Sequence, residues 1–327
     1  MRRTRVLPLA TALALILASC AQHTNADEAV AGTTTTAPTT TTSVAPTTAS
    51  TTTAPTTTST TSTSTPAPTP TTLQADGTVL ITEEVPFTSK LSLDVFSPTR
   101  PGTFPVVVMF HGGGWVGGNA DEIAPLATAL AAGGAVVFNA PYRLALRGGG
   151  YPMTFEDASC AVRFAREHGP LYGGDPALVT VVGYSAGAHI GAVTALAGDS
   201  FDGDCSVESG SALPEAFVGV AGPYDSDVFD PLLSVFFGTD RAQDPAPWTD
   251  GNPYTHIGAN PNLIIRLIQG ELDLFVPFGF ATAFNDALDE AGYDVALTLL
   301  ENGDHGSVVD PLADGAEVVA TVLALSG

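Results

Sequence analysis

Residues 179–196 read VTVVGYSAGAHIGAVTAL, and this stretch decides the fold. It opens with a β-branched run typical of a buried strand, and the small apolar residues after Gly183 predict a helix. Gly183 and Gly187 leave room for a very tight turn between the two elements. Such a turn strains the backbone of Ser185 and directs its hydroxyl into a cleft, which predicts a nucleophile. Because G-x-S-x-G also occurs by chance, a serine that merely caps the helix stays an alternative on this motif alone.

Strand and helix patterns alternate along the rest of the chain. Short apolar runs predict strands at 105–110, 135–140, 178–183, 217–221, 263–268 and 295–300. Helical patterns lie between most of them, at 121–132, 154–168, 186–197, 277–291 and 312–325. Two alternating segments, 79–87 and 90–96, predict an antiparallel pair at the sheet edge. This order predicts an α/β fold with a mostly parallel sheet, helices on both faces, and a site at the carboxyl ends of the strands.

A glycine-rich segment, HGGGW at 111–115, follows directly on the strand predicted at 105–110. Each glycine costs folding entropy relative to alanine, so three in a row indicate that backbone approaches something closely. We expect the N–H groups of Gly113 and Gly114, together with that of Ala186, to stabilise an oxyanion. His111 is expected to orient this loop rather than to react. A flexible loop without a function is the alternative.

The two motifs together resemble those of α/β-hydrolases of the alkyl-esterase type, which include hormone-sensitive-lipase-like and bacterial feruloyl-esterase-like enzymes. The resemblance covers residues 80–325 and rests on HGGGW followed by G-x-S-A-G. It implies an α/β-hydrolase fold and ester hydrolysis by a serine, with no metal or organic cofactor. Ala188 departs from the hormone-sensitive-lipase branch, which usually has a second glycine there. The short segment before the sheet leaves no room for the helical cap of that branch.

The resemblance also implies an acid and a base, in the chain order serine, acid, histidine. The segment QGELDLFVP at 269–277 places Asp273 shortly before Val-Pro, as in the family, with Glu271 as the competing acid. His305, in ENGDHG at 301–306 after the last predicted strand, matches the base of the family. The expected catalytic residues are therefore Ser185, Asp273 and His305.

Other residues are expected either near the pocket or at a helix end. Trp115 closes HGGGW, and Tyr224 and Asp225 follow a predicted strand, which places all three near the mouth of the substrate pocket. Plain packing is the alternative role for them. Thr154 followed by Asp157 predicts a helix N-terminus with a threonine cap.

The first 72 residues predict export and a tether. Three arginines precede an apolar run at 6–18 that is too short to span a bilayer permanently, as in a signal peptide at 1–20. Its end, LASC, resembles the bacterial lipoprotein box, which implies a lipid on Cys20; an ordinary secretory signal is the alternative. Residues 21–72, rich in Thr and Pro, are expected to be a disordered tether. The catalytic domain is then 73–327.

Charge and cysteines limit the partners and the compartment. The formal net charge is −23, a value that disfavours nucleic acid and anionic lipid as partners. We expect a small-molecule ester as partner, and membrane contact only through the N-terminal lipid. Cys160 and Cys205 are an even pair in an exported domain, so a disulfide is expected, with two separate thiols as the alternative. Neither has a partner at zinc-ligand spacing, so no metal site is predicted.

These observations predict an exported serine carboxylesterase that hydrolyses small neutral esters through an acyl-enzyme. A polysaccharide deacetylase, a feruloyl esterase or a peptidase would use the same three residues, because Ser, Asp and His do not specify the leaving group. A catalytically silent surface lipoprotein with a hydrolase fold is an alternative of another class. The complete set of catalytic residues counts against it.

Overall fold

The structure is a computed structural model that describes residues 77–207, 209–226 and 230–325, with the backbone alone for 72–73 and 230–231. The expected signal peptide, Cys20 and nearly all of the expected tether lie outside the described residues. Within the described part of the chain, no helix has the length and apolar character needed to cross a membrane.

The strands of the described chain form one sheet of nine. Their bounds are β1 Thr72–Leu73, β2 Val79–Pro86, β3 Ser92–Pro98, β4 Phe104–Phe110, β5 Val136–Ala140, β6 Gly174–Tyr184, β7 Ala216–Val220, β8 Ile264–Gly270 and β9 Asp294–Leu300. The spatial order is β1-β2-β3-β5-β4-β6-β7-β8-β9. β1, β2 and β3 pair antiparallel with their neighbours, and the pairs from β5 across to β9 are parallel. The predicted antiparallel edge and the mostly parallel sheet are both confirmed.

Helices cover both faces of this sheet, as the alternation of elements predicts. Their bounds are α1 Ala124–Gly133, α2 Met153–His168, α3 Ala186–Ala197, α4 Asp230–Phe237, α5 Ala246–Asp250, α6 Gly279–Glu290 and α7 Gly315–Ala324. Successive residues of a strand point to opposite faces, and β4 shows the consequence. Its Val106 and Val108 join the core that contains α2, α3 and α6, whereas Val107 and Met109 join the core that contains α1 and α7. The α/β fold class is therefore confirmed.

Two helices, α4 and α5, have no counterpart in the sequence prediction. α5 is five residues long and α4 is eight, so neither shows enough turns for a clear periodic pattern. Tertiary packing stabilises them instead, since Phe236 of α4 and Trp248 of α5 are both buried in the large core. Leu232 of α4 lines the cavity described below.

The start of α2 differs from the expected threonine cap. The helix begins at Met153, and the Thr154 hydroxyl accepts the Gly150 N–H and donates to the Arg143 carbonyl. Asp157 binds the Arg143 guanidinium, with Nε and Oδ2 2.8 Å apart, rather than a backbone N–H of its own helix. The predicted helix start is confirmed to within one residue, but the threonine cap is wrong, because these side chains anchor the preceding loop to α2.

The expected disulfide between Cys160 and Cys205 is present. It joins α2 to a loop 45 residues further along the chain, and the two Cα atoms are 5.0 Å apart. The loop is also tied to the edge of the domain by a β-bridge between Thr88 and Cys205. Closing a loop of this length stabilises the fold by about 4 kcal/mol in the chain-entropy account.

Candidate active site

The turn between β6 and α3 holds Ser185 in a strained conformation, with φ 54° and ψ −121°. Glycine is required on both sides of it. A side chain at Gly183 would overlap the Gly187 carbonyl, and one at Gly187 would overlap the carbonyl of Phe110 at the end of β4. Close contact between the turn and the neighbouring strand therefore fixes the serine, and such strain is typical of functional sites.

The three residues expected to be catalytic meet at the carboxyl ends of the strands. The Ser185 Oγ lies 3.0 Å from His305 Nε2, and His305 Nδ1 lies 2.7 Å from Asp273 Oδ2. Ser185 follows β6, Asp273 follows β8 and His305 follows β9, so only folding brings them together. The Asp273 side chain is fully buried, whereas 18% of the His305 side chain is exposed. A hydrogen-bonded relay thus runs from a buried carboxylate through a partly exposed imidazole to the Ser185 hydroxyl.

The surroundings of Asp273 satisfy its carboxylate. Oδ1 accepts the backbone N–H groups of Phe275 and Val276 at 2.9 and 2.8 Å. Oδ2 accepts the Gln269 side-chain amide at 3.0 Å in addition to His305. A buried charge is costly unless it is hydrogen-bonded in this way. Glu271, the competing acid, is exposed, and no contact joins its carboxylate to His305 within the described residues.

The glycine loop borders the same cavity. Gly113 and Gly114 have φ angles of 118° and 59°, and both line a cavity of about 620 Å³ together with Ser185 and Ala186. A side chain at Gly113 would overlap the Gly117 carbonyl, so the loop conformation requires glycine there. As the first residue of α3, Ala186 has an N–H without an acceptor inside the helix. The three residues expected to form the oxyanion hole therefore lie around the serine.

His111 supports this loop from behind. Its ring stacks on Tyr142 with centroids 4.3 Å apart, and its Nδ1 donates to the Gly112 carbonyl at 2.6 Å. The Tyr142 hydroxyl in turn donates to the His111 carbonyl at 2.8 Å. Burial lowers the pKa of His111 to about 4, so the ring is neutral at neutral pH. Because the folded protein binds a proton on His111 less readily than the unfolded chain does, protonation favours unfolding. The free energy of unfolding therefore decreases as the pH falls from 6.5, the ordinary pKa of histidine, to about 4.

Trp115 and Tyr224 were both expected near the mouth of the pocket, and only Trp115 lines the cavity. Trp115 lines the cavity, but its indole is only 2% exposed and donates to His189 Nδ1 at 3.2 Å. The placement of Tyr224 at the pocket mouth is wrong, because its ring is fully buried and stacks on Phe284 at 4.4 Å. The missing side chains of Gly219 and Gly222 leave the space that this ring fills. Asp225 does not line the cavity either.

Several residues of the site have no motif in the sequence. The cavity is also lined by Asn119, Asp121, Glu122, Pro223, Leu232, Phe275 and Val276. Tyr184 donates to the backbone carbonyl of His305 at 2.9 Å, and Gln269 holds Asp273. A polar Gln269 at the end of an apolar strand is the one signal that the sequence offered. Within the described residues, no group of three His, Cys, Asp or Glu side chains could hold a metal ion.

Several known proteins resemble this chain in sequence. The sequence pattern of the BD-FAE family matches residues 93–288. A probable isoprenylcysteine alpha-carbonyl methylesterase of Oryza sativa subsp. japonica is 33% identical over 245 residues, covering 69% of this chain and 57% of the relative. The esterase LipQ of Mycobacterium tuberculosis is 30% identical over 213 residues, covering 62% and 50%. The chain thus spans about half the length of the curated relatives that it matches.

A solved esterase structure is similar to this chain in fold. The butyrate-bound Est2 esterase of Thermogutta terrifontis has a TM-score of 0.59 at 24% identity, over 75% of this chain and 95% of that chain. At this identity the likeness concerns the fold alone. The resemblance to α/β-hydrolases drawn from HGGGW and G-x-S-A-G is confirmed. Because the BD-FAE pattern matches more than half of the sequence, this chain belongs to the BD-FAE family and has the α/β-hydrolase fold.

Proposed function

We propose that this protein is an exported serine carboxylesterase that hydrolyses small neutral carboxylic esters through an acyl-enzyme. One observation carries the proposal: the relay from Asp273 through His305 to Ser185 opens into a cavity of about 620 Å³. The printed names of similar proteins, a methylesterase and an esterase, support ester hydrolysis.

Acylation follows from the positions of the three side chains. His305 Nε2 removes the Ser185 proton as Oγ attacks the ester carbonyl, and Asp273 holds the proton on Nδ1 and stabilises the imidazolium. The negative oxygen of the tetrahedral intermediate then faces the N–H groups of Gly113, Gly114 and Ala186. Each such donor lowers the barrier by roughly 3–4 kcal/mol in comparable sites. The C–O bond breaks, and the alcohol leaves with the proton from His305.

Deacylation repeats these steps with water. His305 removes a proton from a water molecule, whose oxygen attacks the acyl carbon on Ser185. Collapse of the second intermediate breaks the bond to Oγ, which recovers the proton from His305 and releases the acid. One ester and one water give one acid and one alcohol, with the enzyme unchanged.

The cavity limits the substrate in size and charge. A volume of about 620 Å³ lies within the range of small-molecule sites, roughly 300–1,000 Å³. Asp121 and Glu122 line this cavity, so an anionic ester meets repulsion there. Both features favour small esters without negative charge.

The proposal is tested on purified protein with a fluorophosphonate probe and a series of p-nitrophenyl esters of increasing acyl length. We expect one probe per molecule, attached at Ser185, and turnover that is best for short acyl chains. Peptide mapping locates the probe, and circular dichroism checks that the protein is folded. A folded protein that neither takes up the probe nor hydrolyses any ester of the series is the silent lipoprotein instead.

We also propose that a lipid on Cys20 holds the exported domain at a membrane, on the basis of LASC at 17–20. Stable attachment takes about two lipid chains, which a diacylated cysteine supplies. Cys20→Ser in the full-length gene is expected to move the protein from the membrane fraction to the soluble fraction of a bacterial host. Immunoblots of both fractions measure the shift. A variant that stays with the membrane after a high-salt wash would show that Cys20 is not the anchor.

A further inference from the structure

Proton transfer determines where the alcohol part of an ester lies in the cavity. His305 Nε2, 3.0 Å from the Ser185 Oγ, has to deliver its proton to the leaving oxygen. The alcohol part therefore lies on the His305 side of the serine, whereas the acyl part stays on Ser185 until water attacks. The groups around His305 are the ones that contact the alcohol.

Two aromatic rings flank His305 and line the cavity. The Tyr184 and Phe275 rings have their centroids 5.2 and 5.4 Å from that of the imidazole. The hydrogen bond from Tyr184 to the His305 carbonyl fixes the first ring. Phe275 is 42% exposed, so part of its ring is open to a bound group. The faces of such rings attract ammonium groups, above all quaternary ones.

Two carboxylates, those of Asp121 and Glu122, stand at the rim of the same cavity and are exposed to water. The field of Glu122 reaches the histidine side of the site: after burial and Asp273, its charge contributes to a raised pKa of the Tyr184 hydroxyl. Among the described residues that line the cavity, none is a lysine or an arginine. Negative potential on this side opposes the oxyanion, and a cation in the alcohol part would offset it.

We propose, on the basis of the esterase function proposed above, that the site also accepts esters whose alcohol part carries an ammonium group and hydrolyses them more efficiently than neutral esters of the same shape. The cation lies against the rings of Tyr184 and Phe275 and near the carboxylates of Asp121 and Glu122. Choline-like and other amino-alcohol esters form this class. A neutral alcohol of the same shape keeps the apolar contacts but loses the attraction to the rings and the carboxylates.

The preference is expected to be moderate, because the carboxylates are exposed. A cation at such a site gains about a threefold to tenfold advantage in kcat/KM. The preference also depends on salt, because salt screens the attraction between the cation and the carboxylates. The Debye length shrinks from about 30 Å at 0.01 M to about 3 Å at 1 M ionic strength.

The experiment compares butyrylcholine with 3,3-dimethylbutyl butyrate, in which carbon replaces the charged nitrogen. The kcat/KM ratio of the two esters is divided by the ratio of their hydroxide-catalysed rates, which removes the intrinsic difference between the leaving groups. We expect a corrected ratio of about three to ten at low salt, which falls at high salt as the contribution of the carboxylates is screened.

The chain offers a matched pair of variants. Asp121→Asn combined with Glu122→Gln is expected to lower the corrected ratio markedly, and the part that remains is the contribution of the two rings. The control combines Asp289→Asn with Glu290→Gln, an exposed Asp-Glu pair at the end of α6 that does not line the cavity. It changes the net charge by the same amount and should keep the parental ratio. Should the first variant fail to fold, the salt series on the parent still decides.

The outcomes separate this proposal from the esterase function on which it rests. A corrected ratio of one or less in the parent overturns the preference, provided that p-nitrophenyl butyrate is hydrolysed. A ratio that persists in the Asp121/Glu122 variant overturns the role of the carboxylates. If the protein hydrolyses none of the three esters and does not take up the fluorophosphonate probe, the esterase function itself is overturned.

Discussion

Replacing Ser185 by alanine is expected to lower kcat for ester hydrolysis by roughly four to six orders of magnitude. The reason is that the acyl-enzyme cannot form without Oγ, and the oxyanion donors and bound water alone give a small residual rate. Stability should change little, because the substitution removes one hydrogen bond, that to His305, at the edge of a cavity. The melting temperature should stay within about 4 °C of the parental value.

Stopped and continuous assays with p-nitrophenyl butyrate measure the loss, and calorimetry measures the melting temperature. Ser206→Ala is the matched control, because Ser206 is exposed and does not line the cavity. It should retain parental turnover and take up the fluorophosphonate probe. More than about a tenth of parental activity in Ser185→Ala would rule out Ser185 as the nucleophile, given the far larger losses typical of nucleophile removal.

Replacing Asp273 by asparagine is expected to lower kcat by about four orders of magnitude, as in comparable triads. Oδ1 of the carboxylate accepts two backbone N–H groups, so the asparagine oxygen takes that position. Its NH₂ group then faces the Gln269 amide and His305 Nδ1, both of which donate in the parent. Three donors meet with no acceptor, which forces the imidazole into the wrong tautomer.

Glu271→Gln provides the comparison for this variant. Glu271 lies two residues away in the same loop but is exposed. The turnover of the Glu271→Gln variant should therefore differ from the parental value by less than about twofold. Steady-state kinetics on both variants, with circular dichroism as a check on folding, give the answer. Severe loss in Glu271→Gln together with near-parental activity in Asp273→Asn would assign the acid to Glu271.

Short motifs predicted much of the site because each acts over a few neighbouring residues. The glycines of G-x-S-x-G already imply a tight turn, and the structure places Ser185 there with a positive φ. HGGGW likewise lies at the end of β4, next to the serine. The spacing of Asp273 and His305 along the chain did not show that they pair. The chain order of the family implied the pairing, and folding brings Oδ2 and Nδ1 to 2.7 Å.

Tertiary contacts decided the side-chain positions that the sequence patterns predicted wrongly. Tyr224 follows a strand, as a pocket residue would, yet the space above Gly219 and Gly222 draws its ring into the core. Thr154 and Asp157 fit a capping pattern, yet Arg143 binds both. The pattern around each residue cannot show such competition, because the competing partners lie outside it: Phe284 stacks on Tyr224, and Arg143 precedes Thr154 by 11 residues.

The sequence by itself therefore determined the alternation of strands and helices, the strained turn at Ser185 and the glycine loop, since period, turn geometry and backbone sterics are local properties. Only the tertiary structure decided which side chains surround the serine. The walls of the cavity come from β6, from the loop before α1, from α4 and from the loop after β8, and these meet only once the sheet has formed. The rings of Tyr184 and Phe275 lie beside His305, and Asp121 and Glu122 line the same cavity. This placement is a property of that assembly, and no stretch of sequence contains it.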